Sequence, residues 1–318
     1  MAFLKANKKT QNTRSGPERF GLFSEASLMK HPLSMLNVAV LGYGNLGRTL
    51  AHGLAPSVRS VVATERKESA TPGPDGLAAA GPGLPASPSG SGRLRADDGI
   101  SILHDNAGAA LDSDVVFLCV KPKDLGALLQ ELGNSCEGKS VVSTAAGVPL
   151  AYLRARLPGA RIARCMPNLC ASIGESNTAV VFSKGWDKEE QEAVLALLAK
   201  LGRVQRVNEK QMAVWTAVNG SGPAFLALVV DEMAKALRAS GFGKGEALSI
   251  ALHTLASTAH LLAQSGEKPA SFISRVTLEG GTTQAGLQAG DEQTRRAYAA
   301  MLGAAATRAE EMGREFSR

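Results

Sequence analysis

A short apolar run, Val38-Ala39-Val40-Leu41, passes without a break into Gly42-Tyr43-Gly44-Asn45-Leu46-Gly47, and the next apolar residues, Leu50 and Leu54, return at helical spacing. Few other features restrict a fold so tightly. A buried parallel strand reads as a continuous apolar run. A G-x-G-x-x-G turn between such a strand and a helix has one geometric solution. Gly42 permits the tight turn, Gly44 lets backbone approach a pyrophosphate, and Gly47 lets helix and strand touch. The helix N-terminus then faces the anion. The motif therefore predicts a dinucleotide-binding βα unit.

Further runs at residues 61–63, 100–103, 115–120, 141–143 and 161–165 alternate with segments able to form helices. This is the rhythm of an α/β sheet. No strand signal follows Asn208. Residues 223–240 are apolar nearly all round in their first two turns, which predicts a helix buried on most sides. Leu248, Leu252, Leu255, Ala259 and Leu262 form a seam expected to pack along another helix, and Tyr298, Met301, Ala305, Ala309, Met312 and Phe316 form a second. Seams this long in a small domain imply that a second subunit completes the burial. The expected organisation is a basic, disordered extension over 1–36, a Rossmann-like domain over 37–207 and an all-α domain over 208–318. Within the middle part, 20 of the 24 residues from Ser69 to Gly92 are Ser, Ala, Pro or Gly. That interval reads as a flexible surface insertion replacing much of a crossover helix.

Composition excludes other classes. The 318 residues are 44% hydrophobic and 20% charged, which argues against disorder, and no apolar run approaches the roughly 18 residues of a spanning helix. A soluble protein with no membrane partner is expected. Six of the basic and two of the acidic side chains lie in 1–36, so +4 of the net +6 sits there. The rest is nearly neutral and lacks a basic stripe or docking motif, so no nucleic-acid partner is expected. Cytoplasmic residence is expected, with organellar targeting by residues 1–36 as the alternative. The four cysteines form no CxxC pair and read as reduced, structural thiols. No metal site is expected.

At the second strand's end, Glu65 suits a ribose 2′-hydroxyl and so NADH, whereas Arg66 and Lys67 suit the 2′-phosphate of NADPH. NADPH is the expected cofactor, with NADH as the alternative. Val120-Lys121-Pro122 and Ala145-Ala146-Gly147 read as strand-end loops along the same crevice, although a lysine at a strand end is commonly just solvated. Arg164–Asn168, Asn219–Phe225 and Val276–Thr283 join small or hydroxylated residues to helix starts. Such segments either bind a carboxylate or merely cap helices. His253 and His260 lie seven apart without a third ligand and read as packed or surface residues.

Taken in order, GYGNLG, HDN at 104–106, VFLCVKP at 116–122, STAAGV at 143–148, ARCMPN at 163–168, NGSGPAF at 219–225 and VTLEGGTTQAGL at 276–287 resemble the pyrroline-5-carboxylate reductase family over nearly all of residues 35–316. The resemblance implies a Rossmann-like cofactor domain, an α-helical dimerisation domain exchanged between subunits, and NAD(P)H-dependent reduction of 1-pyrroline-5-carboxylate to L-proline. It implies a homodimer and, in many members, a ring of dimers. Carried over, Gly42, Gly44, Asn45, Leu46 and Gly47 hold the pyrophosphate. Glu65 and Arg66 lie at the adenosine ribose and Asn106 near the adenosine. Val120, Lys121, Pro122, Ala145, Ala146 and Gly147 follow the nicotinamide half. Ser221, Gly222, Gly281, Thr282 and Thr283 bind the cyclic imino acid, and the Thr283 hydroxyl is the catalytic group beside the ring nitrogen.

One departure stands out. Before the paired glycines the family has Ser-Pro or a close variant, and here Leu278-Glu279 stands in its place. Losing proline is expected to loosen the loop, and Glu279 brings a negative charge toward an anionic substrate. Two other readings follow: a divergent imine reductase acting on another cyclic imino acid, and a non-catalytic dinucleotide-binding paralogue. A β-hydroxyacid dehydrogenase would need a lysine a few residues beyond Gly222, where the chain reads Pro-Ala-Phe-Leu-Ala.

Overall fold

A computed structural model describes residues 32–66, 94–95 and 99–316. The expectations for residues 1–31, for Lys67 and for the low-complexity interval 69–92 lie outside the described residues. The described chain falls into two compact units, one of residues 32–226 with 295–316 and one of residues 227–294.

The first unit is built on a nine-stranded sheet: β1 (Asn37–Leu41), β2 (Ser60–Thr64), β3 (Leu94–Arg95), β4 (Ile100–Leu103), β5 (Val115–Leu118), β6 (Ser140–Ser143), β7 (Arg161–Met166), β8 (Ser176–Phe182) and β9 (Gly202–Arg206). Their order is β3-β4-β2-β1-β5-β6-β7-β8-β9. All neighbours pair in parallel except β3 with β4 and β7 with β8. The chain winds outward from β1 to β2 and β4, then crosses back to place β5 on the other side of β1. This reversal makes a crevice at the carboxyl ends of β1 and β5, where open α/β sheets bind ligands.

Helices cover both faces: α1 (Asn45–Leu54), α2 (Asn106–Leu111), α3 (Pro122–Leu132), α4 (Leu150–Arg156) and α5 (Lys188–Ala199). The strands explain their own burial. Val38 and Val40 pack into one core with Leu50, Leu54 and Phe117, while Ala39 and Leu41 point into the other with Leu118, Leu125 and Leu129. A strand enclosed on both faces needs apolar side chains at every position, and each buried leucine contributes about 1.5–3 kcal/mol. Strands β8 and β9 were not expected from the sequence. Thr178-Ala179-Val180-Val181 carried a readable apolar signal, but β9 alternates with Arg203, Gln205 and Arg206 as an edge strand does.

The chain then turns helical: α6 (Met212–Trp215), a π-helical segment over Thr216–Ser221, α7 (Gly222–Ala239), α8 (Lys244–Ser265), α9 (Pro269–Val276) and α10 (Thr282–Glu315). In the unit of residues 227–294 only Val230, Ala234, Ala247 and Ala251 form a buried cluster, joined by Met233, Leu237 and Leu255. Two expectations are corrected here. The first turns of α7 are not buried on most sides, since Leu226 and Leu228 are half exposed. On α8 the face packed within the chain is Ala247-Ala251-Leu255, whereas Leu248 and Leu252 of the expected seam stand 46% and 50% exposed. Small alanines let the α7 and α8 backbones approach, which turns the larger leucines outward. A third correction concerns length. Among the described residues one helix, Glu209–Ala239, is long and apolar enough to cross a membrane by length and composition. The polar residues Asn219 and Ser221 hide this in the linear sequence, and the fold joins the segments on either side of them.

Candidate active site

The turn after β1 has the form its glycines require. Gly42 has φ +104°, and a Cβ there would stand 2.8 Å from the Cys119 carbonyl oxygen and 2.9 Å from Val120. A Cβ on Gly47 would fall onto the Gly42 carbonyl oxygen. Both glycines are thus forced by their neighbours. Gly44 differs, because nothing lies within 4 Å of the place its Cβ would occupy. It is the N-cap of α1 and has no side chain to cap the helix, so the first N–H groups of α1 take no side-chain cap from it. Backbone donors without a side-chain cap beside a glycine that leaves room fit a diphosphate, and α1 adds its positive end. Asn45 is exposed and Leu46 partly so, at the rim of this opening.

The end of β2 is wired into the same turn. The Gly42 N–H donates to the Thr64 carbonyl at 3.1 Å and lies 3.3 Å from its hydroxyl oxygen. Thr64 Oγ1 donates to Asn106 Oδ1, and Asn106 Nδ2 donates to both carboxylate oxygens of Glu131 at 2.9 and 3.0 Å. His104 Nδ1 donates to the Glu65 carbonyl at 2.8 Å, fixing the backbone just beyond β2. Arg66 is ion-paired with Asp124 of α3, Nη2 to Oδ1, at 3.0 Å. Glu65 and Arg66 thus follow the end of β2, and Asn106 is tied to that end through Thr64.

The two strand-end loops behave differently. Lys121 is the exposed N-cap of α3, with Pro122 as the first helical residue, and Val120 is half-buried beside Gly42. After β6, Ala145 is buried, Ala146 partly open, and Gly147 is covered by the last turns of α10. A Cβ on Gly147 (φ +76°) would meet Met312 at 2.6 Å and the Ala309 carbonyl at 3.1 Å. Gly147 thus sets the path of the loop, and Ala146 is its open residue. A separate cleft of about 570 Å³ lies along the flank of α1 and shares only Asn45 with the glycine turn.

Ser221 ends the π-helical segment and Gly222 opens α7. Pro223 explains the irregularity. It has no N–H for the α-helical bond to the Asn219 carbonyl, and its ring crowds that group. Asn168 Nδ2 donates to the same carbonyl at 3.1 Å, and Asn177 Nδ2 donates to Asn219 Oδ1 at 3.1 Å. Asn168 is itself held, its N–H donating to Ser176 Oγ and its Oδ1 accepting from the Cys170 N–H. Sequence reasoning placed Asn168 in a possible helix cap and missed Asn177. The proline after a glycine pair was the available signal that an outside donor is needed. Nearby, buried Arg164 pairs with Glu209 at 2.7 Å, and Glu209 also accepts from the Leu150 N–H.

Residues 278–283 belong to the helical unit. The loop is tied without proline, the Gly281 N–H donating to the Leu278 carbonyl at 3.0 Å and the Gly280 N–H to Gln284 Oε1 at 2.8 Å. These bonds hold the loop where the proline is missing. Gly281 spends its N–H inside the turn, so Thr282 and Thr283 carry the open donors at the start of α10. Thr283 is half-buried, while Leu278 and Glu279 are exposed. His253 and His260 are exposed too. The four cysteines are free thiols, and burial pushes Cys136 up to about 11 and raises Cys165 further.

Comparison with known proteins agrees with this geometry. Residues 209–312 match the family model for pyrroline-5-carboxylate reductase dimerisation, and residues 37–147 match that for NADP oxidoreductase, coenzyme F420-dependent. The pyrroline-5-carboxylate reductase of Methanosarcina acetivorans is 34% identical over 70% of this chain and 83% of its own length. That of Corynebacterium melassecola is 30% identical over 88% of this chain and 100% of its own. Among solved structures, the Plasmodium falciparum pyrroline carboxylate reductase with NADP bound covers 88% of this chain and 99% of its own at 19% identity, with a TM-score of 0.75. The Streptococcus pyogenes 1-pyrroline-5-carboxylate reductase covers 87% and 99% at 22% identity, with a TM-score of 0.74. Matches to both halves, joined with a glycine turn that leaves room for a diphosphate at the sheet's switch point, establish that the chain belongs to the pyrroline-5-carboxylate reductase family.

Proposed function

We infer that the protein is an NAD(P)H-dependent oxidoreductase that reduces 1-pyrroline-5-carboxylate to L-proline. The observation that carries this reading is the open cradle at Gly44 and the N-terminus of α1, in a chain whose two halves both match the family. When bound, the reduced nicotinamide supplies a hydride to the C=N carbon. The chain's own residues bind and orient. Gly42, Gly44, Asn45, Leu46 and Gly47 hold the diphosphate by backbone, Glu65, Arg66 and Asn106 read the adenosine side, and Val120, Lys121, Pro122 and Ala146 line the nicotinamide half. Ala145 and Gly147 hold that last loop in place.

For the substrate, Ser221 and Gly222 form one binding station and Gly281, Thr282 and Thr283 another. The Thr282 and Thr283 N–H groups suit a carboxylate, and the Thr283 hydroxyl supports the ring nitrogen. A protonated cyclic imine is already a strong electrophile, so the reaction needs no strong acid from the protein. Positioning alone can supply roughly 7–11 kcal/mol in the best cases. The half-exposed leucines of α7 and α8 suit a homodimer formed through the helical region, and a ring of dimers in the cytoplasm without a membrane partner completes the reading.

Fluorescence titration of the pure protein with NADPH and NADH, followed by racemic 1-pyrroline-5-carboxylate while reduced-nicotinamide absorbance is recorded, tests it. Substrate-dependent oxidation is expected. Binding without oxidation would make the chain a non-catalytic paralogue, and oxidation only with other cyclic imines would make it a divergent reductase.

A further inference from the structure

The ion pair at the adenosine end of the crevice bears on which nicotinamide cofactor the protein selects. In sheets of this kind, discrimination falls at the end of the second strand, where an arginine accommodates the 2′-phosphate and an acidic residue accepts from the 2′-hydroxyl. The chain has one of each, in Glu65 and Arg66. The structure adds a third group from a distant part of the sequence. Asp124, in the first turn of α3, holds the Arg66 guanidinium at 3.0 Å. The Arg66 side chain is 69% exposed and that of Asp124 26%. The arginine therefore reaches out from the protein, and its aspartate is anchored against it.

We propose that Asp124 is a specificity-determining residue that lowers the protein's preference for the 2′-phosphorylated cofactor by engaging Arg66. Two effects act in the same direction. A 2′-phosphate, which brings a charge of about −1.5 to −2, must compete with a carboxylate already bonded to the guanidinium. Any anion that Arg66 grips also lies within a guanidinium's width of the Asp124 charge and is repelled by it. The placement of Asp124 reinforces this role. It sits on the third residue of α3, behind Pro122 and the Lys121 N-cap, where a carboxylate complements the helix N-terminus. Neither effect touches the non-phosphorylated ribose. Asp124 therefore narrows the gap between the two cofactors and leaves binding of their shared parts alone.

The inference rests on the dinucleotide-binding reading above, and its test separates the two. Calorimetric titration of the full-length protein with 2′,5′-ADP and with 5′-ADP measures the 2′-phosphate contribution without turnover. Asp124→Asn is expected to tighten 2′,5′-ADP by about three- to tenfold, with 5′-ADP unchanged within twofold and the gain shrinking as salt is raised. In an Arg66→Gln background the same substitution is expected to leave the ratio of the two affinities unchanged. Asp124→Ser, which also suits a first helical turn, serves as the second variant, and thermal unfolding checks that both are folded. An unchanged ratio in folded Asp124→Asn and Asp124→Ser overturns the proposal. An equal gain for both nucleotides also overturns it, because that would be general electrostatics. If the wild-type protein binds neither nucleotide, the dinucleotide reading itself fails.

Discussion

The sheet unit and the helical unit solve the same problem in opposite ways. In the first, Val38, Val40, Phe117, Leu118 and Leu125 are wholly enclosed, and the central strands β1, β5 and β6 are covered on both faces by their own chain. In the second, the fully enclosed positions are mostly alanines, while Leu228, Leu248 and Leu252 face outward. A core of Val230, Ala234, Ala247 and Ala251 removes little apolar area from water, far less than a leucine-filled interior would. The sheet unit buries most of its large side chains within its own chain, although Leu169 and Ile173 stay exposed. The other carries its larger side chains where a second copy can cover them, as a match to a dimerisation family leads one to expect.

The sharpest way to break this contrast is Gly47→Ala. Its Cβ would fall on the Gly42 carbonyl, so the turn must shift, at a cost of about 1–3 kcal/mol in stability. NADPH affinity should drop by about a hundredfold because the diphosphate cradle moves with it. Fluorescence titration reads that loss, and light scattering should still find an intact dimer. Leu252→Glu is the converse. It should weaken self-association by at least about thirtyfold in sedimentation while NADPH binding persists. Retained dimerisation would mean that the outward leucines are covered by something other than a second copy.

At alkaline pH the buried thiols act on the sheet unit, because all four cysteines lie there. The folded Cys136 thiol stays protonated to about 11 against an ordinary 9.0, chiefly through burial, with Lys139 opposing. Above the unfolded value the unfolded chain loses the proton first and is favoured. The contribution of Cys136 to stability is therefore full below about pH 9 and is lost as pH rises toward 11, at about 1.4 kcal/mol per pH unit. Denaturant melts of Cys136→Ala should show a shallower decline over that window. The smallest effect is expected for Thr283→Ala, a roughly fivefold lower kcat with little change in KM for the dinucleotide. Unchanged turnover at saturating substrate would remove the hydroxyl from the reaction.

Much of the sheet was legible because a strand buried on both faces must be apolar at every position, as β1 and β5 are. The glycine turn was legible because Gly42 and Gly47 answer to steric demands that no other residue meets. What escaped depends on who the neighbour is. A leucine stripe on α8 announces that something will cover it, but its period is the same whether the cover is this chain or another. The donor that replaces the helical bond lost at Pro223 comes from Asn168, while Asn177 holds the Asn219 side chain, and both are set by how β7 and β8 pack beside the π-helical turn. The partnership of Arg66 with Asp124 likewise needs the fold to bring α3 beside the end of β2. The edge strand β9 escaped for a simpler reason, since half of its residues answer to water.

The covering of Gly147 by Ala309, Met312 and Gly313 has a consequence for biosynthesis. During translation the loop after β6 leaves the ribosome long before the turns of α10 that close over it. The sheet can assemble early, but the loop after β6 stays uncovered until synthesis reaches that helix. Nascent chains arrested short of α10 would therefore display a formed glycine turn before the loop after β6 has acquired its final shape.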